Sequence, residues 1–371
     1  MAILLFLSLC LVTNTYRVGA TLPISRTEEL EERHRKLIHK PPIRSIQTEF
    51  GYTIDCVDIN KQPAFDHPLL KNHKLQRKPT FLQRRSRTSE HVLPTRTSVF
   101  ELEKDSCPIG YVPIRRTTKD ELIRMKSLSD YTYYSLVQGA PGTHFAALYT
   151  KKRNNNSYVG VNAHINVHNP RVKKHQMSCA QIAVQNGEHD GINTILFGWQ
   201  SDAFKKTGCY NMLCPGFVQI DRNVFLGIGV RNISDYGGQQ FELPLSILQD
   251  SNSKNWWLIV NDINVGYFPA ALFSNMSVAD LVGWGGRVTG VVKGTSPQMG
   301  SGYFPDGDLT HACFARRISY NVPESLQEPQ KNPLEIYVDK PHCYNLTYFG
   351  FFDDNNRYTF QFGGPGGDCG M

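Results

Sequence analysis

The sequence predicts an all-β protein, an antiparallel β-sandwich preceded by a mostly irregular N-terminal region with one short helix. Two observations carry this prediction. Short segments that alternate apolar and polar residues recur beyond residue 140, and turns containing Gly or Pro separate them. A helical period is almost absent from that part of the chain. Many short strands joined by such turns are typical of a sandwich or a barrel.

The clearest predicted strand covers residues 158–168. A period of two divides its side chains between two faces. The apolar face holds Val161, Ala163, Ile165 and Val167, and the polar face holds Asn162, His164, Asn166 and His168. On a strand, His164 and His168 would lie roughly 13 Å apart, so they cannot bind one metal directly. We interpret them as part of a polar face that is either solvated or lines a groove, and we expect neither a metal nor another cofactor.

Further strands are predicted at residues 216–220, 225–230, 256–260 and 358–362, with turns at 235–238 and 252–254.

The first residues form an apolar run over positions 2–12, and small residues follow up to Ala20. The run is too short to span a bilayer, and the small residues suit signal-peptidase cleavage. We therefore expect residues 1–20 to be a signal peptide, no membrane span in the rest of the chain, and secretion. A buried N-terminal helix is the competing interpretation.

Removal of Cys10 with this leader leaves eight cysteines, an even number that suits an oxidising compartment. Proximity in the sequence favours the pairs Cys56–Cys107, Cys209–Cys214 and Cys343–Cys369. Whether Cys179 and Cys313 pair or stay as buried thiols is left open. Four N-x-S/T sequons agree with secretion and predict glycosylation at Asn155, Asn232, Asn275 and Asn345.

The formal net charge of +7 is concentrated near the N-terminus. Residues 21–130 hold 21 Lys and Arg against 15 Asp and Glu, whereas residues 131–371 hold 18 of each. A nucleic-acid-binding protein would carry its excess charge on the folded recognition surface, so this class is excluded. We divide the chain into a leader (1–20), a basic pro-region (21–139) and a folded domain (140–371). A charged helix is predicted within 25–39, and Arg84-Arg85 marks a candidate processing site.

Common catalytic signatures are absent. The chain contains no G-x-S-x-G, H-E-x-x-H or C-x-x-C motif. The glycine-rich stretch 363–367 is not followed by a helix, so it does not predict a phosphate-binding loop.

Several blocks resemble the neprosin family, plant glutamic peptidases that cleave after proline. Residues 54–70 are similar to the activation-peptide hallmark of that family, and residues 207–219 to its central cysteine-loop signature. Residues 255–258, 265–270 and 298–302 also match, in the same order. The resemblance implies a β-sandwich peptidase made as a zymogen, whose pro-segment covers the groove in cis. It also implies a protein of the extracellular space or cell wall, with the vacuole as an alternative.

The resemblance also implies two catalytic glutamates that face each other across the groove. One deprotonates a water molecule, and the other donates a proton to the amide. Leu196 occupies the first position, in Asn193-Thr194-Ile195-Leu196, and Arg287 occupies the second, after Gly285-Gly286. No catalytic residue of the family is therefore intact at these positions.

The family also carries a strand–turn–strand segment where this chain runs directly from Gln200 to Ser201. Its loss would remove strands of the groove wall and could expose a neighbouring edge. A diverged lineage and a gene model that lacks an exon both explain this difference.

Three hypotheses follow. The first is a secreted neprosin-like protein with lost or impaired peptidase activity. Its groove, with Trp199 and Trp284 as further lining candidates, would bind proline-containing peptides or wall polymers. The second is an active acid endopeptidase that uses another carboxylate, with Glu188, Asp202, Asp306 and Asp308 as weak candidates. The third is a non-catalytic, lectin-like or wall-binding sandwich. Core packing is the competing interpretation for each Trp.

Overall fold

The computed structural model describes residues 3–11, 40–81, 100, 107–118, 141–150, 157–173, 176–187, 192–201, 216–290, 294–323, 325–329 and 334–370. The helix predicted within 25–39 lies outside these residues. In the described part, helical structure is limited to single 3₁₀ turns at Pro63–Asp66, Pro68–Leu70 and Ala270–Leu272. No helix in this part is long and apolar enough to cross a membrane.

Nineteen strands make up the rest of the regular structure in the described residues. They are β1 (Ile3–Leu11), β2 (Arg44–Gln47), β3 (Thr53–Asp58), β4 (Tyr111–Arg115), β5 (Thr143–Thr150), β6 (Gly160–Asn166), β7 (Met177–Asn186), β8 (Asn193–Ser201), β9 (Val218–Gln219), β10 (Gly229–Val230), β11 (Glu242–Gln249), β12 (Trp256–Val260), β13 (Ile263–Phe268), β14 (Leu281–Thr289), β15 (Cys313–Val322), β16 (Ser325–Gln327), β17 (Leu334–Val338), β18 (Asn345–Phe351) and β19 (Tyr358–Gly363).

Two antiparallel sheets pack face to face. Sheet 1 has seven strands in the order β10-β1-β8-β7-β14-β5-β17. Sheet 2 follows the order β18-β19-β15-β6-β11-β12-β13-β9, with β16 paired to β15. A separate three-stranded sheet, β2-β3-β4, belongs to the N-terminal region. The predicted all-β antiparallel sandwich is confirmed.

One hydrophobic core fills the space between sheets 1 and 2. The apolar face predicted for residues 158–168 lies in it, and its four side chains are at most 1% exposed: Val161, Ala163, Ile165 and Val167. The period of two therefore identified the buried face of β6 correctly.

Trp199 and Trp284 also belong to this core and are 0% and 1% exposed. The indole N–H of Trp199 donates to Asn166 O at 2.8 Å, and that of Trp284 donates to Asn162 O at 2.9 Å. Both acceptors lie on β6, so the two indoles cross from sheet 1 to sheet 2. A buried indole N–H finds its partner in this way. The two rings are core residues, so the structure supports core packing as the interpretation of both.

Two of the three predicted disulfides are present. Cys56–Cys107 links β3 to the segment before β4, and Cys343–Cys369 fastens the C-terminal residues. Cys209 and Cys214 lie outside the described residues.

Cys179 and Cys313 are both buried thiols. The two thiols do not form a disulfide with each other. Cys179 Sγ lies 3.4 Å from Arg287 O, and Cys313 Sγ lies 3.5 Å from Asn166 O.

Residues of the predicted leader form β1, which lies inside sheet 1. β1 pairs with β8 from Leu4↔Gln200 to Leu11↔Asn193 and with β10 at two positions. It thus occupies the edge of β8 that faces away from β7. The structure is that of the unprocessed chain, and the removal of residues 1–20 stays a prediction.

Candidate functional site

The outer face of sheet 1 carries a row with almost no side chains. Gly198 on β8, Gln181 on β7, Gly285 on β14 and Ala147 on β5 lie directly opposite one another. A Cβ at Gly198 would lie 1.8 Å from Ala180 O, and one at Gly285, where φ is +146°, would lie 2.3 Å from Ala146 O of β5. The row therefore forms the floor of a shallow groove across the strands. Gln181 is the one long side chain on these four positions.

The neighbouring rows form the two walls of this groove. One wall holds Leu196, Ala183, Gly283 and Tyr149, and the other holds Gln200, Cys179, Arg287 and Phe145. Leu196 and Arg287 thus lie on opposite walls, with Gln181 between them. Each is a diagonal neighbour of Gln181, and such neighbours are about 7–8 Å apart in an antiparallel pair.

Leu196 belongs to a small apolar cluster on its wall. It packs with Ala183 and Leu281, and the partly buried Tyr149 lies against them. Leu196 is only 3% exposed. The position that would hold an acid thus contributes hydrophobic packing.

Arg287 is 6% exposed and lies opposite Cys179 in the strand register. Cys179 Sγ also lies 3.5 Å from Gln181 Oε1, so the thiol connects this wall to the floor. A guanidinium group stays protonated at any ordinary pH. This wall therefore carries a permanent positive charge and no carboxyl group.

Carboxylates are absent from the four central strands of sheet 1. β5, β7, β8 and β14 contain neither Asp nor Glu. Among the described strands of this sheet, the one carboxylate is Glu335 on β17, opposite Tyr149. Burial and this carboxylate together raise the pKa of Tyr149. Four strand spacings, about 19 Å, separate β17 from β8, so Glu335 does not face Leu196.

A small recess lies at the β8–β7–β14 part of the groove. Its lining combines residues of the groove with residues of the core beneath it, namely Met177, Cys179, Ala180, Gln181, Leu196, Phe197, Gly198, Trp199, Gln200 and Arg287.

The two described substitute carboxylates, Asp306 and Asp308, do not complete the site. Glu188 and Asp202 lie outside the described residues. Asp306 and Asp308 lie in a turn at sheet 2, where Asp308 N donates to Asp306 Oδ1. The side chain of Gln361 on β19 holds this turn, because its Oε1 accepts from Gly307 N and its Nε2 donates to Asp308 O. The two aspartates are turn residues and lie away from the groove of sheet 1.

The two candidate histidines lie elsewhere as well. His164 is on the outer face of sheet 2, with Nδ1 3.1 Å from Glu242 Oε1. His168 follows the end of β6, is 4% exposed, and bonds Asn166 Oδ1 through Nε2. Burial lowers the pKa of His168 to about 4. β6 ends at Asn166, so the predicted alternation extends two residues too far and His168 does not reach a groove.

The carboxylate of Glu242 on β11 makes hydrogen bonds to side chains of β6 and β15, so it connects three strands of sheet 2. Arg316 Nε and Nη2 donate to its two oxygens at 2.6 and 2.5 Å, beside the His164 contact. Burial raises the pKa of Glu242, but hydrogen bonds from His164 and Arg316 outweigh burial and lower this pKa to about 2.

We expect Glu242→Gln to lower the free energy of unfolding by about 3 kcal/mol at pH 7. The ionised carboxylate stabilises the fold fully above its ordinary pKa of 4.5, and this contribution is lost as pH falls toward 2. Urea unfolding of both proteins at pH 7 and pH 3 should show the difference shrinking at pH 3. A constant difference would contradict this account.

Residues 59–81 of the pro-region pack on sheet 2, whereas Tyr52 and Phe100 contact β10 of sheet 1. Gln62 is fully buried, its Nε2 donates to Ile59 O and Gln219 O at 2.8 and 3.1 Å, and its Oε1 accepts from Gln219 N at 2.7 Å. Ala64 joins Trp257 in a separate apolar cluster on the outer face of this sheet. These residues of the pro-segment therefore cover sheet 2 and do not cover the groove of sheet 1.

Two polar contacts continue this docking surface. Tyr267 OH accepts from Gln76 N at 2.9 Å and lies 2.8 Å from His73 Nε2. Asp250 accepts from the backbone N–H of Thr80 and from its hydroxyl at 2.8 Å. Burial lowers the pKa of His73. Burial raises the pKa of Asp250, but hydrogen bonds from Thr80 and Ser253 outweigh it, so this pKa is lowered.

Docking of residues 62–81 is expected to weaken as pH falls from 7 to 4. Neutral His73 stabilises docking fully above pH 6.5, and this stabilisation is lost as pH falls through the lowered pKa of His73. The ionised Asp250 stabilises docking fully above pH 3.8, so its contribution is unchanged between pH 7 and 4. Hydrogen exchange of residues 62–81 should speed up accordingly, and His73→Gln should flatten the change between pH 6.5 and 5. His311→Gln, at the exposed Asp306 turn, is the control; protection that stays constant with pH would contradict the expectation.

The sandwich has a cross-strand groove on one sheet, and an N-terminal segment with its own three-stranded sheet packs on the other. These features define a β-sandwich domain made with its own pro-segment. Comparison with known families agrees with this class. The family model Neprosin matches residues 174–365, and Neprosin activation peptide matches residues 45–156. The chain belongs to the neprosin family. β5 falls within the second match, although it is an inner strand of sheet 1.

Sequence reasoning missed Gln181 and the two floor glycines. Isolated glycines inside strands indicate close approach of another backbone, and Gly198 and Gly285 carry that signal. Gln181 has no such signal, because its position depends on strand register.

Proposed function

We propose that this protein is a secreted member of the neprosin family that binds extended peptides but has lost the peptidase reaction. One observation carries the proposal: Leu196 and Arg287 occupy the facing walls of the groove, with the amide of Gln181 between them. Neither an aliphatic side chain nor a guanidinium exchanges a proton at ordinary pH. Loss of one general acid or base costs about 10²- to 10⁴-fold, so loss of both leaves little activity.

The groove still suits a peptide ligand. Its glycine floor lets a backbone approach closely, and Gln181 offers both a donor and an acceptor for a peptide group. The walls include Leu196 and Phe145, apolar side chains against which a proline ring can pack. Proline-containing peptides are therefore the proposed ligands. The two observed disulfides support an oxidising compartment, and secretion belongs to the proposal.

The test uses the full chain secreted from a eukaryotic host and treated at acid pH. A labelled proline-containing peptide should bind saturably, as fluorescence anisotropy measures, and mass spectrometry should find no cleavage between pH 3 and 7. Gln181→Leu should weaken binding, whereas Gln327→Leu, at an exposed position on β16, should not.

Cleavage by the wild-type protein would overturn the proposal. Glu188→Gln and Asp202→Asn would then show whether either carboxylate is responsible. Cleavage that survives both substitutions would exclude both carboxylates.

An exposed aromatic cluster favours a second candidate, a lectin-like function. The rings of Tyr236 and His311 stack at 4.4 Å with an interplanar angle of 9°, and Tyr303 lies 4.2 Å from Tyr236. Tyr236 and Tyr303 are 52% and 50% exposed. Saturable retention on immobilised oligosaccharides, lost in Tyr236→Ala, would support this candidate.

A further inference from the structure

The contact between residues 59–81 and sheet 2 has a fully buried apolar centre. Four fully buried residues form one cluster there: Ala64, Val218, Trp257 and Tyr267. Phe65, Leu75 and Phe81 of the N-terminal segment pack against this cluster. Removal of the segment would therefore expose the face of sheet 2 that holds Trp257 and Tyr267, and exposure of large aromatic side chains to water is unfavourable.

Other apolar side chains of the N-terminal region belong to the main core of the protein. Six of them are members of the same cluster as the interior of the sandwich: Ile54, Val57, Ile59, Leu70, Val112 and Ile114. The turn Pro68–Leu70 packs against the turn Ala270–Leu272, and both leucines at the ends of these turns are buried. The contact therefore resembles the core of a domain, as the interfaces of obligate complexes do.

Polar groups of the segment are matched to sheet 2 as well. Gln219 lies on β9, the terminal strand of sheet 2 among the described residues, and its N–H and C=O both bond to the buried carboxamide of Gln62, at 2.7 and 3.1 Å. The side chain of Gln62 thus completes the hydrogen bonding of an edge strand. Gln76 Oε1 accepts from Asn255 Nδ2 at 2.7 Å and from Ser253 Oγ at 2.8 Å.

We infer that the N-terminal region (residues 40–118) remains bound to sheet 2 after the chain is cut, and is the second polypeptide of the mature protein. Residues 21–130 contain two cysteines, Cys56 and Cys107, which are bonded to each other. A cut between residue 118 and Thr143 therefore leaves no covalent link between the two fragments, and the contacts described above hold them together. The inference requires processing of the chain, and it is independent of whether the groove binds peptides.

The test uses the full chain secreted from a eukaryotic host, with the recognition sequence of a site-specific protease inserted after Asp130. A denaturing gel without reductant verifies that cutting is complete. At about 100 nM protein and pH 7, the two fragments should elute together in gel filtration, which requires a Kd below that concentration. Separate elution would overturn the inference. Precipitation of the C-terminal fragment with the N-terminal fragment left in solution would also overturn it.

Gln62→Leu tests whether this surface holds the fragment. The substitution leaves the buried N–H and C=O of Gln219 without their partner, so the N-terminal fragment should dissociate at least about tenfold faster. Exchange of a fluorescently labelled N-terminal fragment into an excess of unlabelled cut protein measures the rate. Gln47→Leu is the matched control, because Gln47 is exposed on β2 of the same fragment. Its exchange rate should equal that of the wild-type protein.

Gln76→Ala provides a second variant, which applies even where Gln62→Leu prevents secretion. It removes the hydrogen bonds to Asn255 and Ser253 and should also speed up exchange. Equal exchange rates for the wild-type protein and for every secreted variant of Gln62 and Gln76 would overturn the inference, because retention would not depend on this surface. Binding of the proline-containing peptide is measured on the same cut protein, so either function can fail alone.

Discussion

Replacing Leu196 and Arg287 together by glutamate is expected to produce cleavage after proline at acid pH, at least about 10²-fold above the wild-type protein. The two positions lie on facing walls, each one diagonal step from Gln181. A carboxyl at position 196 would lie in the apolar cluster with Ala183 and Leu281, which raises its pKa and keeps it protonated. A carboxyl at position 287 would ionise first and could deprotonate water. Mass spectrometry of a proline-containing peptide measures the gain.

The matched control replaces both positions by glutamine, which has the same size and no exchangeable acid proton. This variant and each single glutamate variant should stay inactive, because the reaction needs both an acid and a base. Equal activity of the glutamine and glutamate double variants would refute the assignment of these two positions.

Gly198→Ala is expected to lower the free energy of unfolding by more than about 4 kcal/mol, or to prevent secretion. The added Cβ would lie 1.8 Å from Ala180 O, a backbone atom of the neighbouring strand, so β7 and β8 would have to separate. Urea unfolding of secreted protein measures the loss.

Gly237→Ala is the matched control. Gly237 has a positive φ, +65°, but a Cβ added there would have no atom within 4 Å. The substitution should cost only about 1 to 2 kcal/mol for backbone strain. Similar losses at Gly198 and Gly237 would mean that the groove floor does not require glycine.

Local patterns were sufficient to predict the architecture. The alternation in residues 158–168 gave the buried face of β6, because burial on one side of a sheet imposes a period of two. The pairs Cys56–Cys107 and Cys343–Cys369 were also predicted, from their spacing along the chain.

The groove depended on information that no local pattern contains. Strand register places Leu196, Gln181 and Arg287 on one diagonal, and register is set by contacts between distant segments. The exposure of a Trp is equally non-local. The sequence allows Trp284 to line a groove or to pack in the core. Only the folded structure shows that its N–H donates to Asn162 O across the core.

The Cys56–Cys107 bridge restricts how this precursor can mature. The dibasic pair Arg84-Arg85 lies inside the loop that this bridge closes, whose ends are 51 residues apart. A single nick there would yield two polypeptides still joined through sulfur, which separate on a gel only after reduction. Complete release of the front portion requires a second cut after Cys107 and before Thr143, because a cut beyond β5 would remove that strand from between β14 and β17 of sheet 1.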